Sequence, residues 1–171
     1  GHAVYTGWGS FIASHAITEE RAKAVTFTAP HYCSGGQIVS MPPAIAKAAA
    51  LAGKTVAVQT GTTYLDAVKK GPGVKEVKNF PTDDAARNAL GSKRVDAWVT
   101  DRFVAKEMIS KLPKAGFKIG DMLFIEQVAS AVTKGNQGLA DAWNKALKEL
   151  IADGTIGKIS QKYFQEDVTC K

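Results

Sequence analysis

The sequence predicts an α/β protein with a mostly parallel sheet. Three observations carry that reading. From Thr55 to Leu112, short apolar runs alternate with helical segments across short turns, the order in which parallel strands and their covering helices follow one another. Threonines stand at helix starts, at Thr18, in Gly61-Thr62-Thr63 and in Pro81-Thr82-Asp83-Asp84, where a hydroxyl satisfies an otherwise orphaned backbone N–H. In the last third, Leu139, Trp143, Ala146, Leu147 and Leu150 fall at spacings of three and four, the period of one helix face.

Phe11 to Ser14 reads as a short buried strand leading into a turn. Thr18 then caps a short helix to about Ala24, with Glu19 and Glu20 in the first turn, where carboxylates suit the helix dipole. Val25 to Thr28 is a second short strand, closed by Ala29-Pro30, and Gln37 to Met41 is extended until Pro42-Pro43. The alanine-rich stretch Ala44 to Ala52 reads as a helix, with Pro43 at its first position and Gly53 just past its end. Strands follow at Thr55–Gln59, Lys75–Phe80 and Val95–Thr100, with helices at Thr62–Lys70, from Pro81 to about Leu90, and at Arg102–Leu112. Phe117–Ile119 reads as a further strand and Met122–Thr133 as a long extended stretch. Gly154 ends the helix around Trp143, and Ile156–Phe164 forms the last one, burying Ile159 and Tyr163.

At 171 residues the chain has room for one ordinary domain or two small lobes. Apolar residues make up 45% and charged residues 22%, a globular balance. No apolar run reaches the roughly 18 residues of a membrane span. The chain opens without the basic, apolar, cleavage-site pattern of a signal peptide. The net charge of +6 is spread along every helical segment, without a basic block or interleaved aromatics, so it reads as a solvated surface and not as a nucleic-acid footprint. Cys33 and Cys170 match no metal spacing. They are either two buried thiols or one long-range disulfide, which fits an oxidising compartment. No metal or cofactor is expected.

Three segments offer the chemistry of a zwitterion clamp. Gly61-Thr62-Thr63 follows the apolar strand Val56-Ala57-Val58 and opens a helix. Its N–H groups and hydroxyls suit an anion, although the Gly-Lys-Ser/Thr ending of a phosphate loop is missing and a plain capped turn explains it too. Arg21 brings a guanidinium that gives a carboxylate two parallel hydrogen bonds; the alternative is a surface arginine paired with a glutamate. Asp101 stands at the carboxyl end of a strand, where open α/β sheets place ligands. It also suits the cap of the next helix, and one oxygen for each job is open to it. His15 and His31 have no nucleophile or carboxylate at a readable spacing and are expected to be packed or hydrogen-bonded. Trp98 is expected in the core, and Gly35-Gly36 at a turn, bulge or hinge.

The order of these segments closely resembles one family. Ile-Thr-Glu-Glu-Arg-Ala-Lys from Ile17, Val-Thr-Phe-Thr-Ala-Pro-His-Tyr from Val25 and Leu-Ala-Gly-Lys-Thr-Val-Ala-Val-Gln-Thr-Gly-Thr-Thr from Leu51 resemble the polar amino-acid solute-binding proteins of bacterial ABC importers. So do Val-Asp-Ala-Trp-Val-Thr-Asp from Val95 and the ending that starts at Ala152. The resemblance runs from about Ile12 to Val168; Ala3 to Ser10 match poorly. It implies a periplasmic-binding-protein-like fold, with two α/β lobes joined by crossing strands. Residues 1–36 and 128–171 would be a partial lobe one and residues 37–127 lobe two. The family's N-terminal part of lobe one, with an aromatic and acidic pocket wall, has no counterpart here, so the first lobe is expected to be incomplete.

By the same resemblance Arg21 would hold a ligand carboxylate with Thr63, Asp101 would hold the ammonium, and Ser14, Ala16, Gln59 and Thr62 would line the cleft. His15 and Ala16 depart from the family's usual residues there. The implied function is non-enzymatic: capture of a polar or charged L-amino acid by hinge closure, for delivery to ABC permease membrane subunits, in a periplasmic or extracellular location. A same-fold dehydratase of an aromatic amino-acid precursor, with Glu126 as its acid, and a sensor or receptor domain are the alternatives. An incomplete lobe would expose apolar surface around Trp143 and Leu147 and favour homo-oligomers.

Overall fold

The computed structural model describes residues 11–71 and 73–170. In chain order its elements are β1 (Phe11–Ala16), α1 (Glu19–Ala24), β2 (Val25–Ser40), β3 (Thr55–Gln59), α2 (Thr63–Lys70), β4 (Glu76–Phe80), α3 (Asp83–Gly91), β5 (Ala97–Asp101), α4 (Arg102–Lys111), β6 (Lys118–Thr133), α5 (Gln137–Ala152) and α6 (Thr155–Phe164). Residues up to Ser34 and from Glu126 onward form one compact unit, and Gly35–Ile125 form the second. The long strands β2 and β6 each contribute residues to both.

In the second unit the strand order is β2-β5-β3-β4. The end of β2 pairs antiparallel with β5, Gly36 opposite Asp101 and Ser40 opposite Ala97. β5, β3 and β4 run parallel, with Val56 beside both Ala97 and Val77. Because helices cover both faces, β5 is buried at Ala97, Trp98, Val99 and Thr100 alike. On one face Val39, Ala57 and Trp98 pack with Ala86, Ala89 and Leu90 of α3 and Ala105 of α4. On the other, Ile38, Val56, Val58 and Val99 pack with Leu51 and with Val68 of α2. Each large side chain buried this way contributes about 1.5–3 kcal/mol. Trp98 is fully buried, as expected, and its indole N–H donates to Asp83 Oδ1 at 3.1 Å. Burial raises the Asp83 carboxyl above its ordinary value, and that indole bond works against the rise.

Two expectations for this unit are corrected. The alanine-rich stretch is no α-helix; Ala48–Leu51 form only a single 3-10 turn. Alanine's preference is small, and the backbone is engaged elsewhere: Ile45 N–H donates to Ser40 Oγ at 2.9 Å, and Ala46 O accepts from Asp121 N–H at 2.6 Å. Gly35-Gly36 makes neither a turn nor a break, because both glycines lie inside β2. A Cβ on either would run into Phe124 of β6, so glycine is needed for close approach.

In the first unit β6 lies between β1 and β2. β1 pairs antiparallel with β6, Phe11 opposite Val132 and Ala16 opposite Val128, with a register shift between Ile12 and His15. Thr28 Oγ1 accepts from Ser130 N–H across the β2–β6 edge at 3.1 Å. β2 does not stop at Ala29-Pro30; Ala29 N–H instead donates to Asn144 Oδ1 of α5 at 2.7 Å. Likewise Lys118–Thr133 is one strand and not two. Cys33 and Cys170 are disulfide-bonded, and Cys33 N–H donates to Val168 O beside the bridge at 2.8 Å.

The helical faces differ in part from expectation. Leu147 is buried, while Trp143, Leu150 and Ile151 are exposed. Ile159 and Tyr163 are not core residues of α6; they are 48% and 65% exposed, and Ser160 is buried in their place, its hydroxyl bonded to Glu166 O and Val168 N–H.

Candidate functional site

The carboxyl ends of β3 and β5 meet in the second unit because the two strands are parallel neighbours. Gln59, Thr62, Thr63 and Asp101 are gathered there. Gly61 turns the chain at φ 74°, a conformation glycine adopts without strain. Thr62 caps α2, its Oγ1 accepting from Leu65 N–H at 3.4 Å and donating to Gln59 O at 2.8 Å. Thr60 N–H donates to Phe80 O at 2.9 Å, tying the turn to β4. Asp101 caps α4: Oδ1 accepts from Phe103 N–H at 2.8 Å and from Val104 N–H at 3.2 Å. Its other oxygen lies 3.4 Å from the Tyr64 hydroxyl. Asp101 is thus the cap of α4 through one oxygen, and its other oxygen faces the Tyr64 hydroxyl.

Tyr64 was missed at the sequence level. It follows Thr62-Thr63 in the first turn of α2, and its ring packs 5.8 Å from that of Phe124. Its place right after the two threonines was the available signal, but contact with Asp101, 37 residues away, depends on strand pairing.

The first unit gathers Ser14, Ala16 and Arg21. Thr18 caps α1 by accepting from Arg21 N–H at 3.1 Å. The short helix turns Arg21 back so that Nη1 donates to Ala16 O at 3.0 Å. A guanidinium has five N–H donors, and Ala16 orients it while using one. Ser14 Oγ lies 3.3 Å from His31 Nε2. The His31 Nδ1 is buried without a partner among the described residues. Burial lowers the His31 pKa, because nothing compensates the charged ring. His15 is lowered further, to about 4, by burial and then by the Arg21 charge. Both imidazoles are thus neutral near pH 7, and the fixed cation of this cluster is Arg21. Among the described residues, no group of three His, Cys, Asp or Glu side chains is placed to hold a metal, and no helix is long and apolar enough to cross a membrane.

The family model for bacterial extracellular solute-binding proteins, family 3, matches residues 7–166. The chain belongs to that family. It is 36% identical over 163 residues to the probable amino-acid-binding protein YxeM of Bacillus subtilis, covering 90% of this chain and 61% of YxeM. It is 31% identical over 156 residues to the L-cystine-binding protein TcyJ of Escherichia coli, covering 90% and 59%. An ancestral arginine-binding protein bound to glutamine superposes with a TM-score of 0.85 at 39% identity, over 96% of this chain and 75% of that one. The chain spans about three fifths of the length of these curated relatives. Its α/β architecture is that of the family 3 amino-acid-binding proteins.

Proposed function

We propose that this family 3 protein binds a free polar or charged L-α-amino acid and presents it to the membrane subunits of an ABC importer. The observation that carries the reading is the paired supply of opposite charges, each held in place before a ligand arrives. Asp101 is fixed by two backbone N–H groups beside Tyr64. Arg21 is fixed by Ala16 O and by the Thr18 cap of its helix. An α-ammonium seeks the first and an α-carboxylate the second. Thr62, Thr63 and Gln59 supply neutral groups beside Asp101, and Ser14 and Ala16 stand beside Arg21. Relatives named for cystine, arginine and histidine support an amino-acid ligand. The Cys33–Cys170 bridge supports an oxidising, extracytoplasmic setting.

Asp101→Asn tests this directly. Asparagine caps a helix as well as aspartate, so α4 is kept while the charge is lost. Titration calorimetry with L-arginine, L-histidine, L-glutamine and L-cystine on a version with a complete first lobe is expected to show binding that the substitution weakens by about 2–5 kcal/mol, whereas the present chain is expected to bind weakly or not at all. Unchanged affinity in the variant, or no binding of any of the four by the version with the complete lobe, overturns the proposal.

A further inference from the structure

A cavity lies at the end of the second unit's sheet opposite Gln59 and Asp101. It has a volume of about 410 Å³, within the range of small-molecule sites. Its lining is mixed: Met41 and Ile45 after β2 and the buried Leu90 and Val95 give it an apolar part, and polar groups line nearly as much of it. Lys54, Lys93 and Asp96 stand around it. Lys54 and Asp96 precede β3 and β5, whereas Gln59 and Asp101 end those strands. Five residue steps along the strand separate Asp96 from Asp101, about 16 Å at 3.3 Å per residue, so the cavity is distinct from the proposed amino-acid site.

The rim is electrically unbalanced. Asp96 is engaged by its Oδ2, which accepts from Thr55 N–H at 2.8 Å. Among the described residues neither lysine ammonium has an ion-pair or hydrogen-bond partner. Lys93 also sits in the left-handed region, at φ 59°, where α3 ends. Its N–H donates to Leu90 O and the next N–H to Ala89 O, a helix stop that glycine makes without strain. A lysine held there at a conformational cost, with its charge beside a partly apolar cavity, is the kind of outlier that points to a task.

We propose that this cavity is a second binding site, for a small carboxylate with an apolar body and no ammonium group. The two lysines would take the carboxylate as point charges, and the apolar part of the lining would bury the body. With Asp96 counted, two of the three charges around the cavity are still positive, so a ligand that is a net anion is favoured over a zwitterion of zero net charge.

The test is an amide-resonance titration of the isotope-labelled chain with phenylacetate, phenylacetamide and L-phenylalanine. Phenylacetate is expected to shift the amides around Lys54, Lys93 and Asp96 and to leave those of Gln59–Tyr64 and Asp101 in place. The neutral amide and the amino acid are expected to bind there about tenfold more weakly or worse. Lys93→Gly is expected to raise the melting temperature and to lower phenylacetate affinity together; Lys54→Gln is expected to lower affinity alone. Absence of shifts at these amides up to about 10 mM phenylacetate, equal binding of the amide, or unchanged affinity in both variants overturns the proposal.

Discussion

The two units are stabilised by different means. The second buries two apolar clusters, one on each face of its parallel strands, built from β-branched and small side chains that alternate along β2, β3 and β5. Among its described residues the first packs Val25 with Ala131 against Phe27 and also buries Val128, Val132, Leu147 and Val168. It also carries the covalent bridge between Cys33 and Cys170, and its helices expose Trp143, Leu150, Ile151, Ile159 and Tyr163.

The bridge gives the largest expected effect. It spans 137 residues of sequence, and chain entropy assigns a loop of that length about 4–5 kcal/mol. Replacing both cysteines by serine is expected to lose a similar amount. Hydrogen exchange should place the loss in β1, α5 and α6, with β3 and β5 little affected. Equal loss of protection in both units would break the contrast.

Ile38→Ala attacks the other side of it. Ile38 is fully buried, and such a truncation costs about 2–5 kcal/mol. Denaturant melting read at Trp98 should show it, and the same variant in a reduced chain should lose about as much again. A cost below about 1 kcal/mol would mean that the second unit is less tightly packed than its burial indicates.

The units also respond to acid in opposite directions. His15 in the first unit has its native pKa at about 4, below the unfolded value of 6.5. The unfolded chain therefore binds more protons between those values, and stability is lost as pH falls through them. His15→Gln is expected to gain on the parent between pH 6.5 and 4. Asp83 in the second unit is raised above its ordinary value by burial. The native form then holds its proton more tightly, so this contribution is present at acid pH and lost as pH rises through the raised value. Asp83→Asn keeps an acceptor for Trp98 and removes that titration. The parent is expected to gain on it as pH falls from 7 to 4. This is the smallest of the four effects, because side-chain hydrogen bonds oppose the rise that burial causes at Asp83 while the causes acting on His15 all lower it, and paired melts of parent and variant across pH would show it. A reversed slope in either pair would break the contrast between the units.

The helix starts were legible because they are local. Thr18, Thr62 and Thr82 each place a hydroxyl over the N–H three residues on, as their spacing indicated. The β3-α2-β4-α3-β5-α4 run was legible for the same reason: apolar period and cap agree within each segment. The misread segments share the opposite property. Pro30 and Gly35-Gly36 are local breakers inside β2, where Asn144 serves one stretch of backbone and Phe124 demands the glycines in another. Ala44–Ala52 has helical composition, but Ser40 and Asp121 hold its backbone in another shape. In each case a partner distant in sequence outweighs a preference of less than about 1 kcal/mol per residue.

The same division holds for the functional residues. Residue types and their order along the chain were sufficient to establish the family, the helix caps and the chemistry on offer: a guanidinium, two hydroxyls and a carboxylate, each next to a turn. Only the tertiary structure decided which oxygen of Asp101 is committed to α4, that Tyr64 stands beside the other, and that Cys33 is bonded to Cys170. Caps and periodicity are fixed by neighbours within one turn of chain. Pairings across 37 or 137 residues exist only after strands have aligned and the entropy of closing those loops has been overcome.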